Sequence, residues 1–286
     1  MFTVLLSLLF SISSIDTEVF QIEDDYKIKL EKVEIDQYYL SYFDQIFIDE
    51  QKLDLLMNDL EEELYQPPVN AKFDETNTIV PGKPGVTLDR NKFQIEFRKR
   101  FYNHSSKKLR VPVTGVYPKV DSGLLKEIST RQLGSYATFF RQSNKERSNN
   151  IELAAEAIDN TVIFPGERFS FNEVVGERTK EKGYKQAPVI VKGELAEDIG
   201  GGICQVSSTL FNAVDLQGIQ IIERYAHSRN VPYVPSGRDA TVSWWGPDFV
   251  FKNLYNEPIL IRARAEHGKM IVQIYTAETA EHFTGN

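Results

Sequence analysis

Cys204 is the only cysteine in the chain, and it follows three consecutive glycines, Gly200, Gly201 and Gly202. Three glycines free the backbone for a tight turn or for close approach to a ligand. A helical pattern begins at once: Ile203, Val206, Leu210, Ala213 and Val214 fall on one stripe, and Gly218 stands where a C′ glycine would stop the helix. Cys204 therefore falls in the first helical turn. Unpaired N–H groups and the positive end of the helix dipole favour a thiolate there. Ser207, Ser208 and Phe211 share its face. The plain alternative is a lone cysteine acting as a small buried hydrophobe.

Nucleophilic thiol chemistry also needs a base and a group that orients the base. His227 is the first histidine after the Cys204 helix, and Asp239 follows it by twelve residues at the start of an expected strand. Cysteine at a helix start, then histidine, then a carboxylate is the chain order of papain-like and transglutaminase-like thiol enzymes. The Gln205 side chain, or the N–H groups of Gly202 to Cys204, could cradle an oxyanion. Asp248 and Glu223 are alternative carboxylates. Arg178, Arg224 or Arg238 could pair with a peptide carboxylate, although each could equally be a surface charge. Tyr184, Trp244 and Trp245 with the glycine turn could instead line a groove for glycan or peptide, or serve a core. One cysteine and scattered histidines give no metal-ligand spacing, so neither a metal nor a cofactor is expected.

The elements that must position these residues read as follows. A helix starting from Asn149 or Asn150, carrying Ile151, Ala154, Ala155 and Ile158, follows an exposed polar loop over 141–150. Strands are expected at Val162–Phe164, Arg168–Phe171, Pro188–Lys192, Ile219–Glu223, Tyr233-Val234, Ala240–Trp244, Phe249–Phe251, Ile259–Arg264 and Met270–Tyr275. The reading is α+β: a small N-terminal α+β domain, then a larger one with the cysteine helix packed on antiparallel strands. In the N-terminal part, residues 16–48 read as one or two strands. Asp49 caps a helix with the stripe Leu53, Leu56, Met57, Leu60 and Leu64, ended by Pro67-Pro68. Residues 69–118 read as a β-rich unit in which Phe93, Ile95 and Phe97 alternate as a half-buried strand. Arg98, Lys99, Arg100, Lys107, Lys108 and Arg110 form a basic patch there, either an exposed hairpin protected by charge or a contact for anionic polymer. The expected boundaries are 1–16 for a signal-like apolar segment, 17–118 for the first domain, 119–134 for a connector and 135–280 for the second domain.

At 286 residues, 41% hydrophobic and 26% charged, the chain can build one large or two modest cores. A net charge of −8 argues against nucleic acid and anionic membrane surfaces as partners. Phe2 to Ile12 is almost wholly apolar, with Ser11, Ser13 and Ser14 as small residues near its end. The run reads as an export signal or a membrane tether, and it is short for a spanning helix.

Several runs together resemble the VanW family. They are Phe164 to Glu167, Phe169 to Asn172, Arg178-Thr179, Gly183 to Lys185, Ala187 to Ile190, Gly200 to Leu210, Glu223-Arg224, His227-Ser228, Tyr233 to Pro235, Gly237, Asp239 to Val242 and Asp248 to Asn253. Upstream, Ala71 to Asp74, Ile79 to Lys83, Gly85 and Leu88-Asp89 are similar to the peptidoglycan-binding domain that precedes VanW in YoaR-like proteins. The resemblance implies an extracytoplasmic protein of a Gram-positive envelope, in a setting associated with vancomycin resistance. It implies no settled reaction. The combined expectation is a peptidoglycan-associated protein, secreted or attached to the membrane or wall. Cys204, His227 and Asp239 would perform acyl transfer or amide hydrolysis on wall peptides. Gly200, Gly201, Gly202, Gln205, Ser208, Arg178, Tyr184 and Arg238 would contact substrate. The alternative is a non-catalytic wall-binding or structural accessory protein.

Overall fold

The computed structural model describes residues 19–23, 32–40, 47–103, 109–191 and 194–282. The signal-like segment, Lys107 and Lys108 lie outside them. In chain order the first elements are β1 (Val19–Glu23), β2 (Lys32–Glu34), α1 (Glu50–Leu64), β3 (Lys72–Phe73), β4 (Ile79–Val80), β5 (Gly85–Leu88), α2 (Arg90–Tyr102), β6 (Leu109–Arg110) and β7 (Val113–Val116). Then come α3 (Ser122–Glu127), β8 (Arg131–Phe139), α4 (Lys145–Ile158), β9 (Thr161–Ile163), β10 (Arg168–Ser170), α5 (Phe171–Val175), β11 (Gln186–Val191), β12 (Glu194–Ile199) and α6 (Ile203–Val214). Four strands finish the chain: β13 (Ile219–Glu223), β14 (Val250–Asn253), β15 (Ile259–Glu266) and β16 (Lys269–Thr276). The fold is α+β.

Two compact units form. One takes residues 1–70 and 82–119, and the other takes 71–81 and 120–286. The expected unbroken 17–118 domain differs from this division because the β3–β4 hairpin packs in the second unit. Ala71 N donates to Val120 O at 2.9 Å, and the Asn160 side chain both accepts from Phe73 N at 2.8 Å and donates to Phe73 O at 3.1 Å. The connector carries α3 where the sequence suggests a short helix around Leu124–Ile128, and it also holds the start of β8.

In the first unit, Asp49 caps α1 by accepting from the Gln51 and Lys52 N–H groups, and all five leucine and methionine stripe residues are buried. The expected strand over Phe93–Phe97 is instead part of α2. Alternation over five residues fits either period, and Phe101 decides it. Phe93, Phe97 and Phe101 lie four apart and are buried, whereas Ile95 is 54% exposed. Asp89 starts the helix by accepting from Lys92 N at 3.1 Å. Arg98, Lys99 and Arg100 accordingly sit on a helix rather than a hairpin, while Arg110 lies in β6. Arg98 pairs with Glu50 at 2.8 Å, and Lys99 and Arg100 pair with Glu96 at 3.1 and 2.7 Å.

The second unit is built on an antiparallel sheet of order β8-β16-β15-β9, with a second sheet β10-β14-β13 and the hairpin β11-β12. Helix α6 packs on β8 and β16, and α4 packs on β15 and α6. Strand β8 was not expected, because Gln132, Gly134 and Ser135 interrupt its apolar pattern. Its register with β16 runs from Lys269↔Phe139 to Thr276↔Arg131. The α4 helix begins earlier than expected, inside the polar 141–150 run, with Asn144 capping it through Arg147 N. Helix α6 is buried on most sides. Its buried polar groups are bonded: Thr209 Oγ1 donates to Gln205 O at 2.6 Å and meets Thr138 Oγ1 at 2.8 Å. The helix ends at Val214, so Gly218 (φ +83°) turns the chain into β13 rather than capping α6.

Candidate functional site

The glycine turn has a steric cause. Gly200 and Gly202 adopt φ of +88° and +113°, where a side chain would be strained. At Gly201 a Cβ would lie 2.4 Å from the Ala187 carbonyl oxygen. All three glycines are buried. They therefore serve backbone packing first, although Gly200 and Gly202 also line the cavity described below. Asn150 of α4 clamps the turn from behind. Its Nδ2 donates to Lys185 O at 2.9 Å and Gly201 O at 3.0 Å, and its Oδ1 accepts from Lys185 N at 2.8 Å. Nothing in a sequence of three asparagines near 144–150 singled it out.

The turn delivers Cys204 as the second residue of α6. The flanking amides are used, Ile203 N by Gly200 O and Gln205 N by Gly202 O. As the second residue of α6, Cys204 carries one of the N–H groups that a helix start leaves without an intrahelical partner.

His227 and Asp239 come from the long irregular segment between β13 and β14 rather than from strands. Tyr233-Val234 and Ala240–Trp244 form no strand; the segment is pinned by an isolated bridge between Tyr225 and Thr241. Asp239 folds the segment around itself. Its Oδ2 accepts from the His227 main-chain N–H at 2.6 Å and faces His227 Nδ1 at 2.7 Å. A carboxylate only accepts, so Nδ1 carries the proton and the neutral ring keeps Nε2 as its acceptor. The Cys204 thiol and that ring line the same cavity and act electrostatically on each other. Both side chains of the His227–Asp239 pair are nearly dry, 6% and 9% exposed. Thr241 Oγ1 and Val242 O also lie against the sulfur, at 3.8 and 3.5 Å.

The electrostatics shift both groups toward their charged forms. Burial opposes a thiolate at Cys204, but His227 together with the Val242 and Thr241 contacts outweighs it and holds the thiol below its ordinary pKa. Burial also opposes the imidazolium; the thiolate and Asp239 outweigh that, so His227 is raised. Asp239 is lowered, because the main-chain and ring N–H groups of His227 overcome its burial. The arrangement brings a thiol, an imidazole and a carboxylate to one cavity region.

Cys204 and His227 line a cavity of about 560 Å³ with Arg147, Glu177, Arg178, Asp198, Tyr233, Trp244 and Trp245, among others. Other expected contacts are elsewhere or already occupied. Gln205 lines the cavity, but both of its amide hydrogens point inward, to Thr138 Oγ1 at 3.0 Å and Phe139 O at 3.1 Å. That leaves none for an oxyanion. Ser208 is buried and ties α6 to the Asp239 segment, donating to Cys204 O at 2.7 Å and accepting from Ala240 N at 2.9 Å. Tyr184 is a core residue, 5% exposed. Arg238 bonds Asp215 at 2.5 Å and Asn212 at 2.7 Å and lies over the Phe211 ring, outside the residues that line this cavity. Arg224 lies on the same ring. Asp248 accepts from Ser170 Oγ and Asn172 N and is itself bonded to Glu223, so these two carboxylates build the β10–β13 region.

Arg147 and Tyr233 were not singled out in the sequence as parts of the site. The Arg147 guanidinium donates to Gln205 Oε1 at 2.9 Å and lies 6.0 Å from the Tyr233 ring centre. Burial raises the Tyr233 hydroxyl, and the Cys204 charge adds to that. Among the described residues no group of three or more His, Cys, Asp or Glu could hold a metal ion. No helix among them is long and apolar enough to cross a membrane.

Comparison with known proteins matches residues 146–275 to the family described as "VanW like protein". Residues 27–110 match the family described as "Putative peptidoglycan binding domain". The chain is 56% identical over 231 residues to "Uncharacterized protein YoaR" of Bacillus subtilis (strain 168), covering 81% of this chain and 76% of that protein. It is 32% identical over 131 residues to "Vancomycin B-type resistance protein VanW" of Enterococcus faecalis (strain ATCC 700802 / V583), covering 44% of this chain and 48% of that protein. No solved structure matches the chain.

Proposed function

The chain belongs to the VanW family, in the YoaR-like arrangement of a peptidoglycan-binding domain followed by a VanW domain; from that premise we propose that it is an extracytoplasmic, wall-associated thiol enzyme. The first unit docks on peptidoglycan, and the second acts on an amide of a wall peptide. The observation that carries the catalytic reading is the 2.7 Å contact from Asp239 to His227 Nδ1, in a cavity that His227 lines together with Cys204.

The chemistry is acyl transfer in two halves. The Cys204 thiolate attacks the amide carbonyl, and a C–S bond forms. The His227 imidazolium gives its proton to the departing amine as the C–N bond breaks, leaving a thioester. An amine or a water then attacks that thioester, His227 takes the proton of the attacking group, and the C–S bond breaks to return the thiolate. Asp239 holds the imidazole in the required tautomer. The Cys204 N–H is the oxyanion donor, in place of the Gln205 side chain.

The test incubates the full chain with wall stem peptides and reads the intact mass of the protein and the peptide products. The proposal expects a covalent acyl adduct on the wild type and none on Cys204→Ala. Products that form equally well with Cys204→Ala would overturn it.

A second reading has its own support. Trp245 is 87% exposed beside Trp244, with ring centres 6.0 Å apart at the cavity edge. Exposed aromatic pairs suit glycan or peptide binding without chemistry. Under that reading Cys204→Ala retains full wall binding and no adduct forms on either protein.

A further inference from the structure

Two arginines flank the thiol, and both are anchored in an unusual way. Arg147 is held by the amide oxygen of Gln205, and Arg178 by the amide oxygen of Asn172 at 2.8 Å. Asn172 is itself fixed, donating to Ser243 O and Pro247 O at 3.0 and 3.2 Å. An amide oxygen orients a guanidinium but does not neutralise it. Among the described residues no carboxylate lies within ion-pairing distance of either arginine. Arg178 Nη1 is buried and has no acceptor among the described residues. Both arginines are partly buried, and burial lowers the pKa of each. Among the described residues the only acidic charges that act back on them are Cys204 and, for Arg178, Asp248, neither of them ion-paired with an arginine, while Tyr233 and Tyr184 add to the two respectively. Buried cations of this kind are ordinarily paired, because leaving them unpaired is costly. Glu177 and Asp198 line the same cavity, but both are exposed, so solvent screens them.

We propose that Arg147 and Arg178 form a carboxylate-recognition subsite, so that the thiol site selects peptides carrying an anionic group next to the amide it attacks. The planar fork of arginine suits a carboxylate, and the neutral anchors leave its charge free for one. This rests on the thiol reading above. The carboxylate could be the C-terminus of the peptide or an acidic residue within it.

The test compares two alkylating agents of nearly equal size on the native full chain, iodoacetate and iodoacetamide. The ratio of their rates at Cys204 is referred to the same ratio for glutathione. The proposal expects the relative ratio to favour iodoacetate by tenfold or more. It expects that preference to fall at least threefold in both Arg178→Gln and Arg147→Gln. A relative ratio near one in the native protein overturns the subsite, and that result needs no variant to fold. If neither reagent labels the native protein, the accessible thiolate is wrong and the subsite falls with it. Protection experiments separate the sources. A peptide with a free C-terminus, its C-terminal amide, and an amidated peptide with an internal acidic residue are each tested for slowing iodoacetamide. Protection by either acid over the plain amide supports the subsite and names the carboxylate; equal protection by all three overturns it.

Discussion

Arginines occupy opposite settings in the two units. In the first, Arg90, Arg98 and Arg100 lie on α2 and meet Glu61, Glu50 and Glu96 at 2.7 to 2.8 Å. In the second, Arg147 and Arg178 are more deeply set and meet only amide oxygens. A charge matched on a wet surface does little beyond solubility and weak stabilisation. A charge that is partly buried and oriented by neutral amides rather than by a carboxylate, in the same cavity as a thiol, is the arrangement expected of a site. The basic run at 98–110 is the more conspicuous in sequence, yet the two arginines separated by thirty residues are those that share a cavity with Cys204.

The largest effect should come from the second unit. Asp239→Asn removes the acceptor that fixes the His227 ring, and turnover should fall between about 10²- and 10⁴-fold. The measurement is adduct formation rate on a wall peptide; a loss below threefold would remove Asp239 from the site. Gly201→Ala drives a methyl into the Ala187 carbonyl, and chemical denaturation should show a loss of about 1–3 kcal/mol. Asn150→Ala leaves the Lys185 N–H and two carbonyls without their partner, for a similar loss of about 1–3 kcal/mol. If either change were neutral, the turn would not be held as described. Arg98→Gln in the first unit should cost under about 1 kcal/mol, because its pair with Glu50 is exposed. A larger cost would break the contrast between the units.

The pH dependence of stability sharpens the same contrast. Asp239 is depressed in the folded state, so its contribution is present above the ordinary carboxylate range and disappears as pH falls through its lower folded pKa. His227 is raised, so its contribution is complete below its ordinary value near 6.5 and disappears as pH rises through the folded pKa. Wild type should therefore lose more stability than Asp239→Asn on acidification in that window, read by denaturant melts at fixed pH steps.

Much of this was legible in residue order. Three glycines before a helical stripe placed Cys204 at the start of α6, and the next histidine and aspartate proved to be neighbours in space. Asp49 was readable as a cap because its helix is amphipathic and begins just after it. The losses have physical causes. Phe93 to Phe97 satisfies two periods at once, and only the burial of Phe101 separates them. Strand β8 is covered by α6 on one face and carries Gly134 and polar residues, so its alternation is weak. The segment bearing His227 and Asp239 is ordered by side-chain to main-chain bonds rather than by a ladder, and no periodicity encodes those. Gln205 looked available for an oxyanion because nothing local shows that Thr138 and Phe139, more than sixty residues away, use both of its hydrogens. Arg147 was hidden in a polar run that reads as loop until Asn144 is recognised as a cap.

The central claim is that Cys204 is a thiolate held by His227, and its most direct test is the rate of iodoacetamide labelling of the native chain across pH. The account predicts a rate that stays high well below the ordinary thiol pKa of about 8.5 and shifts toward that value in His227→Ala. A rate that rises only near pH 8.5 in the wild type, or labelling that needs denaturant, would contradict it and leave Cys204 a packing residue.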